Sequence, residues 1–294
     1  VLFNLGGPDK LESVEPFLFN LFNDPEILSI PSIFRYPLAK FISKRRAPIA
    51  KNIYREIGNK SPILELTQEQ ATSLENSLST NGNYKCFVVM RCWHPRAIDV
   101  IKKVKEFDPK EIILLPLYPQ FSAATSGSSI NEWNDLCEKE NFNVKTKTIC
   151  CYPTENNFVK SHANLIRKTI QNTSNKNFKL LFSAHGLPEI KIKKGDPYQW
   201  QVEETVKNIM MELKDENLDH TISYQSRVGP LKWIGPSTDD EIIKYSKEKK
   251  GIVIVPVAFV SEHSETLVEL DIEYKKLAEK NGCSFYKRVP ALGI

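Results

Sequence analysis

Short, almost wholly apolar runs alternate along this chain with longer segments in which lysine and glutamate interrupt apolar positions at helical spacing. The runs are Val1 to Leu5, Phe87 to Arg91, Ile112 to Leu117, Leu180 to Ser183 and Ile252 to Phe259. Runs of this length, rich in Val, Ile, Leu and Phe, predict strands buried on both faces, and the amphipathic segments between them predict helices packed over those strands. Strand and helix in repeated alternation is the pattern of βαβ units and a parallel sheet. The expected fold class is α/β and doubly wound.

Two of the runs echo two others. VLFNLGGP at 1–8 resembles LLFSAHGLP at 180–188, and IILLPLYPQFS at 112–122 resembles IVIVPVAFVS at 252–261. The echo predicts two similar halves, 1–165 and 166–294, joined somewhere around 155 to 175, where the polar stretch Gln171 to Asn177 (QNTSNKN) marks a turn. In open parallel sheets, ligands bind beyond the carboxyl ends of the strands. Polar residues stand there: Asn4-Leu5-Gly6-Gly7-Pro8, Tyr118-Pro119-Gln120, Ser183-Ala184-His185-Gly186 and Ser261-Glu262-His263-Ser264-Glu265 each follow an apolar run. A cleft between the halves is expected to gather them.

His185 is the first candidate for chemistry. It ends a buried run, and Gly186, Leu187 and Pro188 allow a sharp turn that exposes the ring. Imidazole titrates near neutrality, so it can take a proton or, when neutral, bind a divalent metal. Glu265, Glu269 and Glu273 are spaced by four and form one acidic ridge on a helix, while Leu267, Leu270, Tyr274 and Leu277 form the stripe that packs on the sheet. Like charges at this spacing repel, so the ridge needs a compensating cation or protonation unless it is simply a solvated face. Because it begins at the end of a very apolar run, Glu265 and His263 are expected to point into the ligand site, with Glu269 and Glu273 leading to the surface. A histidine with carboxylates suits a first-row metal bound transiently and matches no closed zinc site. The H-x-E of His263-Ser264-Glu265 lacks the P-C-x-x-C partner of zinc deaminases.

The segment Ile33 to Arg46 (IFRYPLAKFISKRR) joins apolar and aromatic residues to a basic end, with Tyr54 and Arg55 following. Arg45 and Arg46 could grip carboxylates, and the apolar residues could cover a flat ligand or touch a membrane surface. A surface helix with a basic carboxyl end reads equally well here.

Composition narrows the classes. The chain has 294 residues, 41% hydrophobic and 26% charged, with a formal net charge of +4. That suits a globular protein and gives no sign of nucleic-acid binding. The six cysteines form no C-x-x-C pair, which fits a reducing, cytoplasm-like compartment. No apolar run approaches the roughly 18 residues of a spanning helix. The first residue is Val1, so a removed targeting segment stays open. No G-x-G-x-x-G follows an expected strand, which disfavours a dinucleotide enzyme.

With these residues in view, the sequence resembles the ferrochelatase family over nearly its whole length. FNLGGP, AKFISKRRAP, IGNKSPI, ILLPLYPQFSAATSGSS, LLFSAHGLP, GDPY, YQSRVGPLKWIGP and SEHSETLVELDIEY recur in the family's order and spacing. The resemblance implies two Rossmann-like domains with an inter-domain porphyrin cleft, and insertion of Fe²⁺ into protoporphyrin IX with release of two protons. His185 matches the family's active-site histidine and Glu265 its facing carboxylate, both also candidate metal ligands. His263, Glu269 and Glu273 fall on the associated proton or metal path. Tyr54, Arg91, Tyr118, Tyr152, Tyr198 and Phe259 match cleft positions, and Arg45 and Arg46 the basic pair on its lip. Tyr152 departs from the Trp of many members. Ala123 stands where animal members have an internal cysteine ligand, so their 2Fe–2S cluster is not expected, nor any tightly bound cofactor; iron is substrate. Relatives continue for some tens of residues past the position of Ile294. The implied partners are porphyrin, ferrous iron and an anionic membrane touched peripherally, with no nucleic acid, and the implied place is the cytoplasm, at or near the inner membrane. Coproporphyrin or cobalt chelation on the same fold, or a non-catalytic tetrapyrrole carrier, are the alternatives, and the oligomeric state is not legible.

Overall fold

The computed structural model of the chain describes residues 1–171, 173, 177–227 and 231–294. Of the expected turn at Gln171 to Asn177, residues 172 and 174–176 lie outside the described residues, as do Val228 to Pro230 of the YQSRVGPLKWIGP motif. The chain divides into two compact units, Val1–Cys151 with Gly293–Ile294, and Tyr152–Leu292. The division falls earlier than the 165/166 boundary read from the sequence, because position 165 lies inside a continuous helix, Asn156–Gln171. That helix buries Phe158, Val159, His162, Ala163, Ile166 and Ile170 within the second unit, where it packs against the helix Tyr198–Glu212.

In the first unit the strands are β1 (Leu2–Asn4), β2 (Val88–Met90), β3 (Ile112–Pro116) and β4 (Thr146–Thr148), in the order β2-β1-β3-β4 and all parallel. In the second they are β5 (Phe178–His185), β6 (His220–Gln225), β7 (Gly251–Pro256) and β8 (Tyr286–Arg288), in the order β6-β5-β7-β8, again parallel. The two orders are the same. The echoed motifs therefore belong to β1 and β3 in one sheet and to β5 and β7 in the other, the adjacent central strands of each, which share a largely apolar composition.

The three strands that the apolar pattern does not predict are β4 (TKT), β6 (HTISYQ) and β8 (YKR). All lie at sheet edges, where one side of the strand has no ladder neighbour and polar side chains are tolerated. On β1, Leu2 and Phe3 point to opposite faces. Phe3 joins Val89, Val100, Ile101, Val104, Leu114 and Trp133, whereas Leu2 joins Ala71, Val88 and Met90, so a helical layer covers each side. In the helix Ala97–Phe107, residues 97, 100, 101 and 104 are buried, the spacing of one helical face, and Asp108 ends it in left-handed backbone at φ 51°. Leu181, Ile252 and Ile254 of the second sheet pack on Ile242, Tyr245, Leu270, Tyr274 and Ala278.

One local feature departs from expectation. The acidic segment Glu265–Glu273 is a π-helix, followed by the α-helix Tyr274–Lys280. A second π-helical stretch, Ala123–Gly127, holds the equivalent place after β3 in the first unit. A π-helix closes i→i+5 bonds, its turn is wider than an α-turn, and such stretches cluster at functional sites.

Candidate active site

The second unit brings together the imidazole and carboxylates that the sequence singled out. His185 is the last residue of β5, and its Nδ1 lies 2.9 Å from Glu265 Oε2 at the start of the π-helix. Gly186 permits the turn: a Cβ there would stand 3.0 Å from the Gln225 carbonyl oxygen and 3.3 Å from Trp233 Cε3. The His185 side chain keeps 41% of its surface, so a ligand can reach the ring. His263 approaches the other oxygen of Glu265, with Nε2 3.8 Å from Oε1, and directs Nδ1 at the Ser261 carbonyl at 3.1 Å. Phe259 lies against the His263 ring, centroid to centroid 4.7 Å.

Glu269 is held from several sides. Ser226 donates its backbone N–H to Oε1 at 2.9 Å and its hydroxyl to Oε2 at 2.5 Å, and Tyr274 donates to Oε1 at 3.0 Å. Ser226 can aim both groups because its backbone is left-handed, at φ 58°. Gln225 ends β6, and its orientation is fixed by Ser183, whose hydroxyl donates to the amide oxygen at 2.6 Å. The amide Nε2 is thereby left to donate to Glu265 at 3.3 Å and Glu269 at 3.1 Å. Ser226 Oγ also lies 3.3 Å from Glu265 Oε2, so one hydroxyl touches both carboxylates. Glu273, at the end of the π-helix, is exposed.

These contacts push neighbouring titrations apart. Burial alone would lower the His185 pKa, but the charge and hydrogen bond of Glu265, with Glu269 behind, outweigh it and hold the imidazole above its ordinary value. Burial works to raise Glu265, yet His185 and His263 together hold it well below the usual carboxylate range. Burial and the Glu265 charge raise Glu269 above that range, against the hydrogen bonds of Ser226 and Tyr274. Two carboxylates side by side, one kept anionic and one disposed to hold a proton, is the arrangement that separates base from acid in proton-transfer sites. Among the described residues, no group of three or more His, Cys, Asp or Glu side chains is gathered to hold a metal ion.

The other expected positions have varied surroundings. Tyr198 is buried, its hydroxyl takes a backbone hydrogen bond at His185, and burial raises its pKa well above the ordinary value. Tyr152 meets Phe158 edge to face at 5.6 Å, and burial raises its pKa as well. In the first unit, Tyr118 follows β3, with its hydroxyl buried and its pKa raised by burial. Arg45 is exposed on the helix Ser32–Arg55, and the Arg46 guanidinium lies 5.9 Å from the Phe22 ring centroid. Tyr54 is packed with Val14, Phe17, Leu18 and Cys92 in an apolar cluster. Arg91 is engaged on three sides: by Asp24 at 2.9 Å, Ser128 at 2.7 Å and Glu132 at 3.2 Å. Those contacts make Tyr54 and Arg91 parts of the framework of the first unit.

The site also contains residues that the sequence reading did not single out. Gln225 and Ser226 were missed because β6 itself was not predicted. Tyr274 was placed on the packing stripe, and it is indeed buried, but its hydroxyl bridges Glu269 and Asp239, at 3.0 and 3.2 Å. Arg288 on β8 pairs with Asp271 and Glu262, the latter beside His263 in sequence.

The strand order, with one parallel four-stranded sheet in each unit, defines an α/β fold that is shared with a solved chelatase. The chain is similar to SirB from Bacillus subtilis solved with Fe³⁺, with TM-score 0.51 and 14% identity over 76% of this chain and 82% of that one. The sirohydrochlorin chelatase SirB of B. subtilis subspecies spizizenii, in complex with cobalt, gives TM-score 0.50 and 10% identity over 77% and 82%. The chain belongs to the ferrochelatase family, whose model matches residues 1–294. It is 68% identical to a ferrochelatase of Pelagibacter ubique, covering 100% of this chain and 86% of that protein. It is 51% identical to ferrochelatases of Rickettsia bellii (99% and 81% covered) and Caulobacter vibrioides (100% and 84% covered). Membership makes it a metal chelatase, acting in haem synthesis by placing iron in a porphyrin.

Proposed function

We propose that the chain inserts Fe²⁺ into protoporphyrin IX, with His185 taking the inner pyrrole protons and the carboxylates of the π-helix carrying them away. The observation that carries this is the 2.9 Å contact between His185 Nδ1 and Glu265 Oε2. In the neutral ring, Nδ1–H donates to Glu265 and leaves the Nε2 lone pair as the proton acceptor. Once protonated, the imidazolium sits beside an anionic carboxylate, which makes His185 a stronger base than a free histidine. That favours proton acceptance over metal delivery for this residue. Ser226, in contact with both Glu265 and Glu269, offers a hydroxyl through which the proton reaches Glu269, and Glu273 leads to solvent.

Ferrous iron is a substrate here and no resident cofactor enters. The main barrier lies in stripping water from the metal and turning pyrrole lone pairs out of the ring plane, so residues that grip the macrocycle contribute by holding it bent. Tyr118, Tyr152, Tyr198 and Phe259 are proposed for contact with the ring, Arg45 and Arg46 for its carboxylates, and Tyr54 and Arg91 for support of those positions. His263 steadies the second oxygen of Glu265. The helix Ser32–Arg55 exposes Ile33 (75%), Phe34 (65%), Phe41 (61%) and Ile49 (65%) beside its basic residues, which favours peripheral contact with an anionic membrane. No described helix is long and apolar enough to cross one.

Anaerobic turnover on metal-free protoporphyrin tests the reading. The expected result is product in large excess over protein, with coproporphyrin turned over more slowly. Product limited to one equivalent would indicate a carrier, and faster turnover of coproporphyrin would reassign the substrate.

A further inference from the structure

Cys150 and Cys151 are adjacent in sequence, and their sulfurs lie 3.3 Å apart. Neither is in a disulfide, and the separation is well beyond an S–S bond of about 2.05 Å. They follow β4 directly: Ile149 makes the last ladder bond to Leu114, at 2.9 Å, and the chain leaves the sheet there. Successive side chains of an extended strand point to opposite faces, so two adjacent sulfurs this close have been brought to one side by the departing backbone. Cys150 is exposed and Cys151 half-buried, at the carboxyl end of an edge strand.

We propose that Cys150 and Cys151 form a chelating dithiol site for trivalent arsenicals. The bite angle selects the ligand. An atom about 2.3 Å from each sulfur, the length of a zinc–thiolate bond, would see the pair at roughly 90°, narrower than a tetrahedral zinc site requires. A pyramidal trivalent arsenic bonds at near-right angles and accepts that geometry without movement of either side chain. The chemistry balances without an oxidant: an organoarsenic oxide plus two thiols gives two As–S bonds and one water, both S–H protons leave on the arsenic's oxygen, and arsenic remains trivalent. The four other cysteines are less suited. Burial pushes the Cys92 thiol up to about 12 and Cys137 up to about 11, and raises Cys86 and Cys283 as well.

The test is intact-mass analysis of the whole chain after one equivalent of phenylarsine oxide, followed by peptide mapping. The expected result is one phenylarsenic group per chain on the peptide holding Cys150 and Cys151, retained in excess glutathione and removed by dithiothreitol. Cys150→Ser and Cys151→Ser should each abolish the glutathione-resistant adduct. An adduct mapping to another cysteine, release by glutathione from the unaltered chain, or survival of the adduct in the doubly substituted chain would overturn the proposal.

Discussion

Glu265 and Glu269 occupy successive turns of one helix, yet their surroundings drive their titrations in opposite directions. Glu265 is depressed, so its contribution to stability is present above the ordinary carboxylate value of 4.5 and is lost as pH falls through its folded value. His185 is raised, so its contribution is complete below 6.5 and fades as pH rises through its own folded value. Glu269 is raised too, which for a carboxylate means that ionisation in the folded chain is resisted and stability falls as pH climbs from 4.5 through the folded value. Replacing Glu269 by Gln removes that penalty. The melting temperature of Glu269→Gln relative to the unaltered chain is expected to rise in thermal scans as pH climbs from 4.5 through the folded value of Glu269; a constant difference would contradict the assignment. For His185, NMR titration of the ring should show its pKa falling on Glu265→Gln, because burial then acts with less opposition. The identities of His185, Glu265 and His263 were legible in the sequence, since each stands where an apolar run ends. Their partners were not: a glutamine and a serine at the end of a polar edge strand carry no pattern that distinguishes them from a loop.

At the scale of elements, the central strands and the apolar edge strand β2 were readable, and the polar edges β4, β6 and β8 were not. β1, β5 and β7 are buried along nearly their whole length and are largely apolar, whereas β4 is TKT and β8 is YKR. The acidic spacing of four correctly placed a helix after β7, but it fits α- and π-turns almost equally, so the wider geometry was not legible. That geometry matters to the site. Glu265 and Glu269 converge on the same Gln225 amide and Ser226 hydroxyl, and the wide turn sets where each carboxylate arrives. Deleting Val268 should restore regular α-helical bonding, leave far-UV helical signal in place and separate the two carboxylates from Ser226. Metal insertion is then expected to fall by at least about tenfold, a loss of positioning. Unchanged turnover in a chain with that deletion would remove the π-helix from the account. Gly186→Ala tests the same alignment from the other side: the added methyl meets the Gln225 carbonyl and Trp233 and should destabilise by about 1–3 kcal/mol in denaturant titration.

At the scale of the whole molecule, two units of identical strand order explain the internal echo, and the family match over residues 1–294 gives the activity. The crossing between the compact units comes at Cys151 and Tyr152, whereas the composition shift near 171 marks the end of a helix. The apolar, basic face of Ser32–Arg55 yields a separate prediction: the chain should float with anionic vesicles at low salt, and changing Arg45 and Arg46 to Glu should abolish flotation. Flotation that survives those changes would assign membrane contact elsewhere. The central claim is that one strand-end imidazole, set by a carboxylate of the π-helix, removes the protons that metal replaces. The most direct measurement is continuous zinc or iron insertion by His185→Ala, with porphyrin binding and melting followed in parallel. The expected outcome is a loss of turnover of at least about 100-fold, the lower end for a general base, while binding and melting persist. Turnover within a few-fold of the unaltered chain would contradict it.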